Sequence, residues 1–185
     1  MIETVNHLLG ALGILAQIAI VAIVALLVAA RLRPAAVGRL VGTPDVLMRQ
    51  ALWTAWVVAA VATGASLYLS EIADYVPCRL CWFQRIAMYP LAVVLLVGAL
   101  RRDRRVVSYA AAFPVVGAGI AAYHIYIERN PEAESQACRL SGAPCSTKWI
   151  EEFGYLTIPT LALTAFVLIA VLLAVVHVAG RRAER

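Results

Sequence analysis

The residues best suited to chemistry are four cysteines, which fall into two pairs along the chain. Cys78 and Cys81 form a Cys-x-x-Cys motif, and Cys138 and Cys145 enclose a short segment containing a glycine and a proline, which favour a turn. A Cys-x-x-Cys motif lowers the pKa of a thiol and permits rapid thiol–disulfide exchange. Two dithiols on one chain can pass a disulfide between them, so the cysteine pattern indicates redox chemistry.

Two further interpretations of the cysteines compete with this one. Structural disulfides would stabilise little here, because a Cys-x-x-Cys ring removes little freedom from the unfolded chain. A zinc site with four thiolates normally uses two Cys-x-x-Cys knuckles, whereas this chain combines one such motif with a wider pair. We therefore expect redox cysteines and no metal.

Two polar residues within apolar stretches are candidates to assist the thiols. Arg85 follows Cys81 by four residues, so a helix would place it one turn deeper on the same face. Because a helix N-terminus favours negative charge, the sequence predicts a thiolate at Cys81, stabilised by Arg85. His124, in the next apolar stretch, is expected at a similar depth, where both side chains would border one pocket. The competing interpretations are an arginine that anchors the helix end and a histidine wetted by lipid headgroups.

The elements that must position these residues are membrane helices. The chain has 185 residues, of which 63% are hydrophobic and only 15% charged, and its mean hydropathy is +0.83. This composition excludes a disordered chain, a nucleic-acid-binding domain and a water-soluble globule. Five stretches match the ~20 residues that a helix needs to cross a bilayer. They are about 8–30, 51–70, 81–100, 106–127 and 154–178.

The predicted fold is an all-α integral membrane protein. A four-helix transmembrane core over 51–185 follows a segment, 1–50, that holds one extra transmembrane helix and a cytoplasmic linker with a turn at 34–42. The first stretch lacks the basic start of a signal peptide and is too long for one, so we expect it to be retained. Pro90, Pro114 and Pro159 are expected to bend the third, fourth and fifth stretches.

The distribution of charge predicts the orientation in the membrane. Most of the 16 basic residues follow the first, third and fifth stretches, and basic loops remain in the cytoplasm. The N-terminus is then outside, the C-terminus is cytoplasmic, and both cysteine loops face the outside, where disulfides persist. The net charge of +5 thus reflects membrane topology and not nucleic-acid binding.

A membrane dithiol that receives electrons needs an acceptor. The chain has neither a Rossmann fingerprint nor a Cys-x-x-Cys-His haem motif. A quinone is the acceptor already present in a membrane. Arg85 and His124 would stabilise the negative charge that develops on it.

Two segments of the chain resemble the disulfide bond formation protein B (DsbB) family, and most closely its Gram-positive BdbC branch. Residues 77–90, Pro-Cys-Arg-Leu-Cys-Trp-Phe-Gln-Arg-Ile-Ala-Met-Tyr-Pro, are similar to the family's first-loop motif. Residues 138–160 resemble the second half of that branch. The resemblance covers roughly 51–178 and implies a four-helix quinone reductase of the bacterial cell membrane.

The resemblance also implies roles for the cysteines. Cys78 and Cys81 match the quinone-coupled pair, in which Cys81 would meet the quinone. Cys138 and Cys145 match the pair that exchanges with a partner, an extracytoplasmic thioredoxin-fold thiol oxidase of the DsbA or BdbD kind. Cys138 would meet the partner first.

The cofactor implied by the resemblance is a membrane quinone, menaquinone or ubiquinone. Arg85 matches the quinone-site arginine, and His124 matches a position on the third core helix. The first predicted helix has no counterpart in the four-helix core. A competing interpretation is a vitamin K epoxide reductase-like enzyme, in which the Cys-x-x-Cys comes after the loop pair and not before it. The cysteine pattern also leaves open a thiol reductant exporter and a non-enzymatic helical bundle.

Overall fold

The fold consists of helices and the loops that connect them. The computed structural model describes residues 2–32, 43–140 and 142–183. Its helices are α1 (Ile2–Leu32), α2 (Pro44–Glu71), α3 (Arg79–Arg101), α4 (Val106–Ala110), α5 (Ala112–Arg129), α6 (Gln136–Arg139) and α7 (Ile158–Ala183), with a 3-10 turn at Pro131–Ala133. The described residues form no β-strand beyond one isolated bridge between Glu152 and Leu156. The all-α fold is confirmed.

Five helical segments of the described chain are long and apolar enough to cross a membrane. They are Ile2–Leu32, Pro44–Glu71, Arg79–Arg101, Val106–Arg129 and Ile158–Arg181. This agrees with the predicted membrane helical bundle. The turn expected at 34–42 lies outside the described residues.

The second span is longer than the sequence suggested. Helix α2 begins at Pro44, directly after an extended Thr43, and so well before the predicted start at 51. Proline favours the first turn of a helix, because its missing N–H would have no partner there. The first turns of α2 contain polar residues, so a search for apolar runs did not detect them.

The prolines affect the helices unequally. Pro114 cannot donate to the carbonyl of Ala110, and the fourth span is divided there into α4 and α5. Pro90 lies within the continuous helix α3. The prediction of a bend at Pro159 was wrong, because α7 begins at Ile158 and Pro159 lies in its first turn.

Helices α2, α3, α5 and α7 pack around one core, and α1 packs along α7 at the periphery of the bundle. Phe166 of α7 is completely buried at the centre. A side chain at Gly117 of α5 would overlap the ring of Phe166, so this glycine permits the close approach of the two helices.

The cysteine loops and the basic segments lie at opposite ends of the bundle. At one end, the start of α1 reaches the loops: Asn6 contacts the Tyr75 hydroxyl at 3.4 Å, and His7 contacts Glu152 at 2.7 Å. At the other end, Arg104 pairs with Asp45 at 3.5 Å. This separation agrees with the predicted arrangement of the loops, and the orientation in the membrane stays a prediction.

Candidate redox site

The first cysteine pair sits at the start of α3. Cys78 is the N-cap residue, with extended backbone, and its Sγ accepts a hydrogen bond from the backbone N–H of Cys81 at 3.3 Å. Both cysteines are thiols, and their sulfurs lie 3.0 Å apart. The helix start therefore directs its free N–H towards the Cys78 sulfur.

This geometry stabilises a thiolate at Cys78. The hydrogen bond from the Cys81 thiol lowers the pKa of Cys78 most, burial opposes it, and the His124 ring lowers the pKa further, so that it falls from 9.0 to about 4. The sequence predicted the thiolate at Cys81. That prediction was wrong about the position, because the first residue of the pair is the cap and receives the N–H.

We expect alkylation of reduced Cys78 to persist in acid. In a Cys138→Ser/Cys145→Ser background, its labelling rate should change little between about pH 8 and pH 5 and fall near pH 4, because the thiolate is the nucleophile. Cys81→Ala removes the donor and should move this midpoint upwards. Iodoacetamide labelling followed by mass spectrometry measures both. An ordinary midpoint near 9 in the reference protein would contradict the assignment.

The second pair forms a disulfide in the loop between α5 and α7. The Cα atoms of Cys138 and Cys145 are 5.6 Å apart, an ordinary separation for a disulfide. Ser135 caps the short helix α6 by accepting from the N–H of Cys138 at 3.3 Å. Gly142 has a φ of +89°, which a residue with a side chain rarely adopts, and it closes the ring between the cysteines.

A buried carboxylate holds the second pair in place. Glu134 is 8% exposed and accepts hydrogen bonds from the N–H of Cys145 and from the N–H and hydroxyl of Ser146. Arg139 lies 4.0 Å from the same carboxylate. Glu134 thus fixes the Cys145 end of the disulfide through the backbone.

His124 connects the two cysteine pairs. It is 2% exposed, and its Nε2 donates to the backbone carbonyl of Cys145 at 2.9 Å and lies 3.6 Å from the Cys78 sulfur. Its Nδ1 accepts from the side-chain amide of Gln84 at 3.2 Å. Because a carbonyl only accepts, Nε2 carries the proton. The ring is therefore placed to support negative charge at Cys78.

The same atoms could in principle hold a metal. The donor atoms of Cys78, Cys81 and His124 lie within 4.8 Å of one another, and these residue types are zinc ligands. Both ring nitrogens of His124 already have hydrogen-bond partners, so a metal would have to displace one of them. Cys138 and Cys145 are joined in a disulfide and offer no thiolate. This arrangement favours exchange over metal binding.

Cys81 also borders a large apolar cavity. The cavity has a volume of about 310 Å³ and lies between α1, α2, α3 and α7. Its lining is almost entirely apolar, with Gln84, Arg85 and Tyr89 among the polar side chains. An apolar cavity with a few polar groups beside a reactive thiol suits a flat organic ring with an apolar tail.

Arg85 is buried in this cavity wall. It is 9% exposed, donates to the backbone carbonyl of Ser66 on α2 at 3.0 Å, and stacks on the Trp82 ring at 5.2 Å. Tyr89 donates to the Ser66 hydroxyl at 3.3 Å. The arginine therefore faces the protein interior, as the spacing from Cys81 suggested.

The structure does not bring Arg85 and His124 into one pocket. Arg85 lines the large cavity, whereas His124 borders a small recess with Cys78, Cys81 and Glu128. Cys81 borders both spaces. The assignment of His124 to the quinone site therefore stays a prediction, and its contacts point to the exchange between the two pairs.

Sequence reasoning missed three polar residues of the site. Gln84 lies one helical turn after Cys81, and Glu128 lies one turn after His124. This spacing could have identified both residues from the sequence. Glu128 is 7% exposed and accepts from Thr157 at 2.7 Å, which ties α5 to the start of α7. Glu134 lies in a loop, and no sequence pattern marks its contact with Cys145.

Comparison with known proteins places the chain in a family. The family model for the disulfide bond formation protein DsbB matches residues 48–176. Disulfide bond formation protein C of Bacillus subtilis (strain 168) is 42% identical over 72% of this chain and 95% of its own length. A probable disulfide formation protein C of Halalkalibacterium halodurans is 45% identical over 62% of this chain and 83% of its own. A probable disulfide formation protein of Metapseudomonas resinovorans is 39% identical over 66% of this chain and 85% of its own length.

No solved structure matches the chain. The family match includes all four cysteines, Arg85 and His124, whereas α1 lies outside it. A match to most of the chain, together with relatives at this level of identity, decides the family. This helical membrane protein belongs to the DsbB family of disulfide bond formation proteins.

Proposed function

We propose that this disulfide-forming membrane protein is a thiol:quinone oxidoreductase. It reoxidises an extracytoplasmic thioredoxin-like thiol oxidase and passes two electrons to a membrane quinone. The observation that carries the proposal is the position of Cys81, which contacts Cys78 on one side and borders the apolar cavity of about 310 Å³ on the other. One thiol thus connects a disulfide relay with a site suited to a lipid-soluble ring.

The first step is exchange with the partner. A thiolate of the reduced partner attacks Cys138 and forms a mixed disulfide, with Cys145 as the leaving thiol. The second partner thiol then releases the oxidised partner and leaves Cys138 and Cys145 as a dithiol. Glu134 holds the backbone of Cys145 during this step.

The second step transfers the disulfide between the pairs. Cys78, Cys138 and Cys145 belong to one buried cluster, and His124 contacts both Cys78 and the Cys145 carbonyl. Attack by the Cys145 thiolate on an oxidised Cys78–Cys81 pair releases Cys81 and joins Cys145 to Cys78. Cys138 then attacks Cys145, which regenerates its disulfide and leaves Cys78 and Cys81 as a dithiol.

The third step reduces the quinone. Cys78 and Cys81 become a disulfide while the quinone accepts two electrons and two protons, so the dithiol and the quinol balance. Arg85, beside the cavity, stabilises the negative charge that develops on the quinone oxygen. The Nε2–H of His124, which donates to the Cys145 carbonyl, lies 3.6 Å from the Cys78 sulfur and favours its thiolate form. Menaquinone and ubiquinone both have the ring and tail that this site requires.

The proposed orientation has the cysteine loops outside and the C-terminus in the cytoplasm. We expect a membrane-impermeant maleimide, applied to intact reduced cells, to label Cys78 or Cys138 but not a cysteine introduced at Ser108. Ser108 is exposed in α4, at the end of the bundle that holds Arg104. The reverse pattern of labelling would overturn both the orientation and the extracytoplasmic partner.

The test of the function uses purified protein in lipid vesicles. A reduced thioredoxin-fold oxidase should be oxidised at a substantial rate only when a quinone is supplied. Oxidation that continued anaerobically without a quinone would contradict the proposal. Rapid vitamin K epoxide reduction with a dithiol would support the competing class of enzyme.

A further inference from the structure

Part of the cavity wall comes from a helix outside the family match. Leu9, Leu12, Gly13 and Ala16 of α1 line the cavity together with residues of α2, α3 and α7. The match to the family begins at residue 48, and the Bacillus subtilis relative is covered over 95% of its length by 72% of this chain. The shared core thus provides the reactive thiol and the arginine, and α1 adds a further side to the cavity.

Polar contacts hold the outer part of α1 in place. His7 pairs with Glu152 at 2.7 Å, and the Tyr155 hydroxyl donates to Gln17 at 2.8 Å. The Gln17 amide donates in turn to Thr164 of α7 at 3.3 Å. These contacts flank residues 9–16, the part of α1 that lines the cavity. A helix that only anchored the chain in lipid would need no such contacts.

Two glycines allow α1 to approach the bundle closely. A side chain at Gly13 would overlap Leu161, which is itself a cavity residue, and one at Gly10 would lie 3.0 Å from the Phe153 ring. Leu15, which does not line the cavity, is 61% exposed, compared with 41% for Leu12, which does. The cavity-lining face is therefore fitted to the protein, while the rest of the helix is available to lipid.

The depth of this face identifies the part of the ligand that it meets. Asn6 and His7 reach the loops that precede α3 and α7, so residues 9–16 lie beside the outer half of the bundle. Cys81 and Arg85 lie in the first two turns of α3, at the same end. The α1 face is thus opposite the reacting end of the cavity and not its far apolar end.

We propose that α1 forms a wall of the quinone site that encloses the quinone ring and sets which rings fit. This inference rests on the proposed quinone site. It assigns Leu12 and Ala16 as positioning and selectivity residues that the four-helix core lacks. The chemical class of ligand is a benzoquinone or naphthoquinone ring. The wall selects between these rings because it limits the width of the site.

Two matched pairs of variants test the wall. Ala16→Phe narrows the cavity, whereas Ala11→Phe makes the same change on an exposed position of the same helix. Leu12→Ala widens the cavity, and Leu15→Ala makes the same change at a position that does not line the cavity. The probes are a short-tailed benzoquinone and a short-tailed naphthoquinone, because the wall is assigned to the ring and not to the tail.

The expected result is a change confined to quinone kinetics. Ala16→Phe should lower kcat/KM for quinone by about tenfold, and more for the wider naphthoquinone, since one misfitted group in an apolar site has an effect of this order. Leu12→Ala should raise KM and reduce the discrimination between the two rings. Both control variants should match the wild type. Disulfide exchange of Cys138 and Cys145 with a reduced partner, measured in a single turnover without quinone, should be unchanged in all four.

The outcomes separate this inference from the proposed function. If the wild type reduces quinone and both members of each pair behave alike, α1 is not a wall of the site, while the oxidoreductase proposal stands. If the wild type reduces no quinone, the proposed function fails. If Ala16→Phe does not fold, the comparison of Leu12→Ala with Leu15→Ala tests the wall by itself, because a smaller side chain introduces no steric overlap.

Discussion

Replacing Cys81 with serine should abolish quinone reduction with every thiol donor. Cys81 is the thiol that borders both the Cys78 sulfur and the apolar cavity, so no other described cysteine can take its place. The measurement is quinone absorbance in an anaerobic steady-state assay with either a small dithiol or the reduced partner as donor. Normal quinone reduction by Cys81→Ser would show that the proposed order of electron flow is wrong.

Cys138→Ser is the matched control for that variant. It should stop oxidation of the protein partner, because the partner meets the loop pair first in the proposed relay. A small dithiol that reaches Cys78 and Cys81 directly should still support quinone reduction. Loss of both activities in Cys138→Ser would mean that the loop pair also shapes the quinone site.

The second large effect is expected at Arg85. Arg85→Gln removes a buried cation beside the reacting end of the cavity, and loss of one donor to developing charge costs about 3 kcal/mol, roughly a hundredfold in rate. Arg85→Lys keeps the charge but loses the planar group that contacts Ser66 and Trp82, so quinone KM should rise. The measurement is the rate of quinone reduction against quinone concentration.

Arg79→Gln is the control for the arginine. Arg79 is an exposed residue in the first turn of the same helix, and its guanidinium lies 5.9 Å from the Phe83 ring. Its replacement should leave quinone kinetics near those of the wild type. If Arg85→Gln also has wild-type kinetics, Arg85 does not act in the quinone site and only anchors the helix end.

Much of the architecture was predictable because the bilayer imposes simple requirements. A helix that crosses it needs about 20 apolar residues, and five such stretches are visible in the chain. The spacing from Cys81 to Arg85 was also informative, since residues four apart share a helix face wherever the helix lies. The described residues accordingly contain five potential spans and an inward-facing Arg85.

The fine geometry of the thiols could not be read in the same way. Whether Cys78 or Cys81 receives the free N–H depends on which residue is the cap, and a shift of a few residues in the helix start would exchange them. Likewise, the orientation of α5 about its own axis decides that His124 points between the cysteine pairs and not into the large cavity. Apolar spacing does not define that orientation in a membrane helix.

The contribution of α1 to the cavity was hidden for a related reason. Between residues 8 and 30 it is apolar on every face apart from Gln17, so the pattern cannot distinguish a side that contacts lipid from one that contacts protein. The polar residues that hold it, His7 and Gln17, were visible but had no recognisable partners. Those partners lie far along the chain, in the loop before α7 and in α7 itself.

The central claim is that the Cys78 and Cys81 dithiol gives its electrons directly to a quinone. The most direct measurement mixes pre-reduced Cys138→Ser/Cys145→Ser protein with quinone anaerobically, in a single turnover and without a partner. We predict that one Cys78–Cys81 disulfide and one quinol form together, at the same rate. A dithiol that stays reduced in the presence of excess quinone would contradict the account.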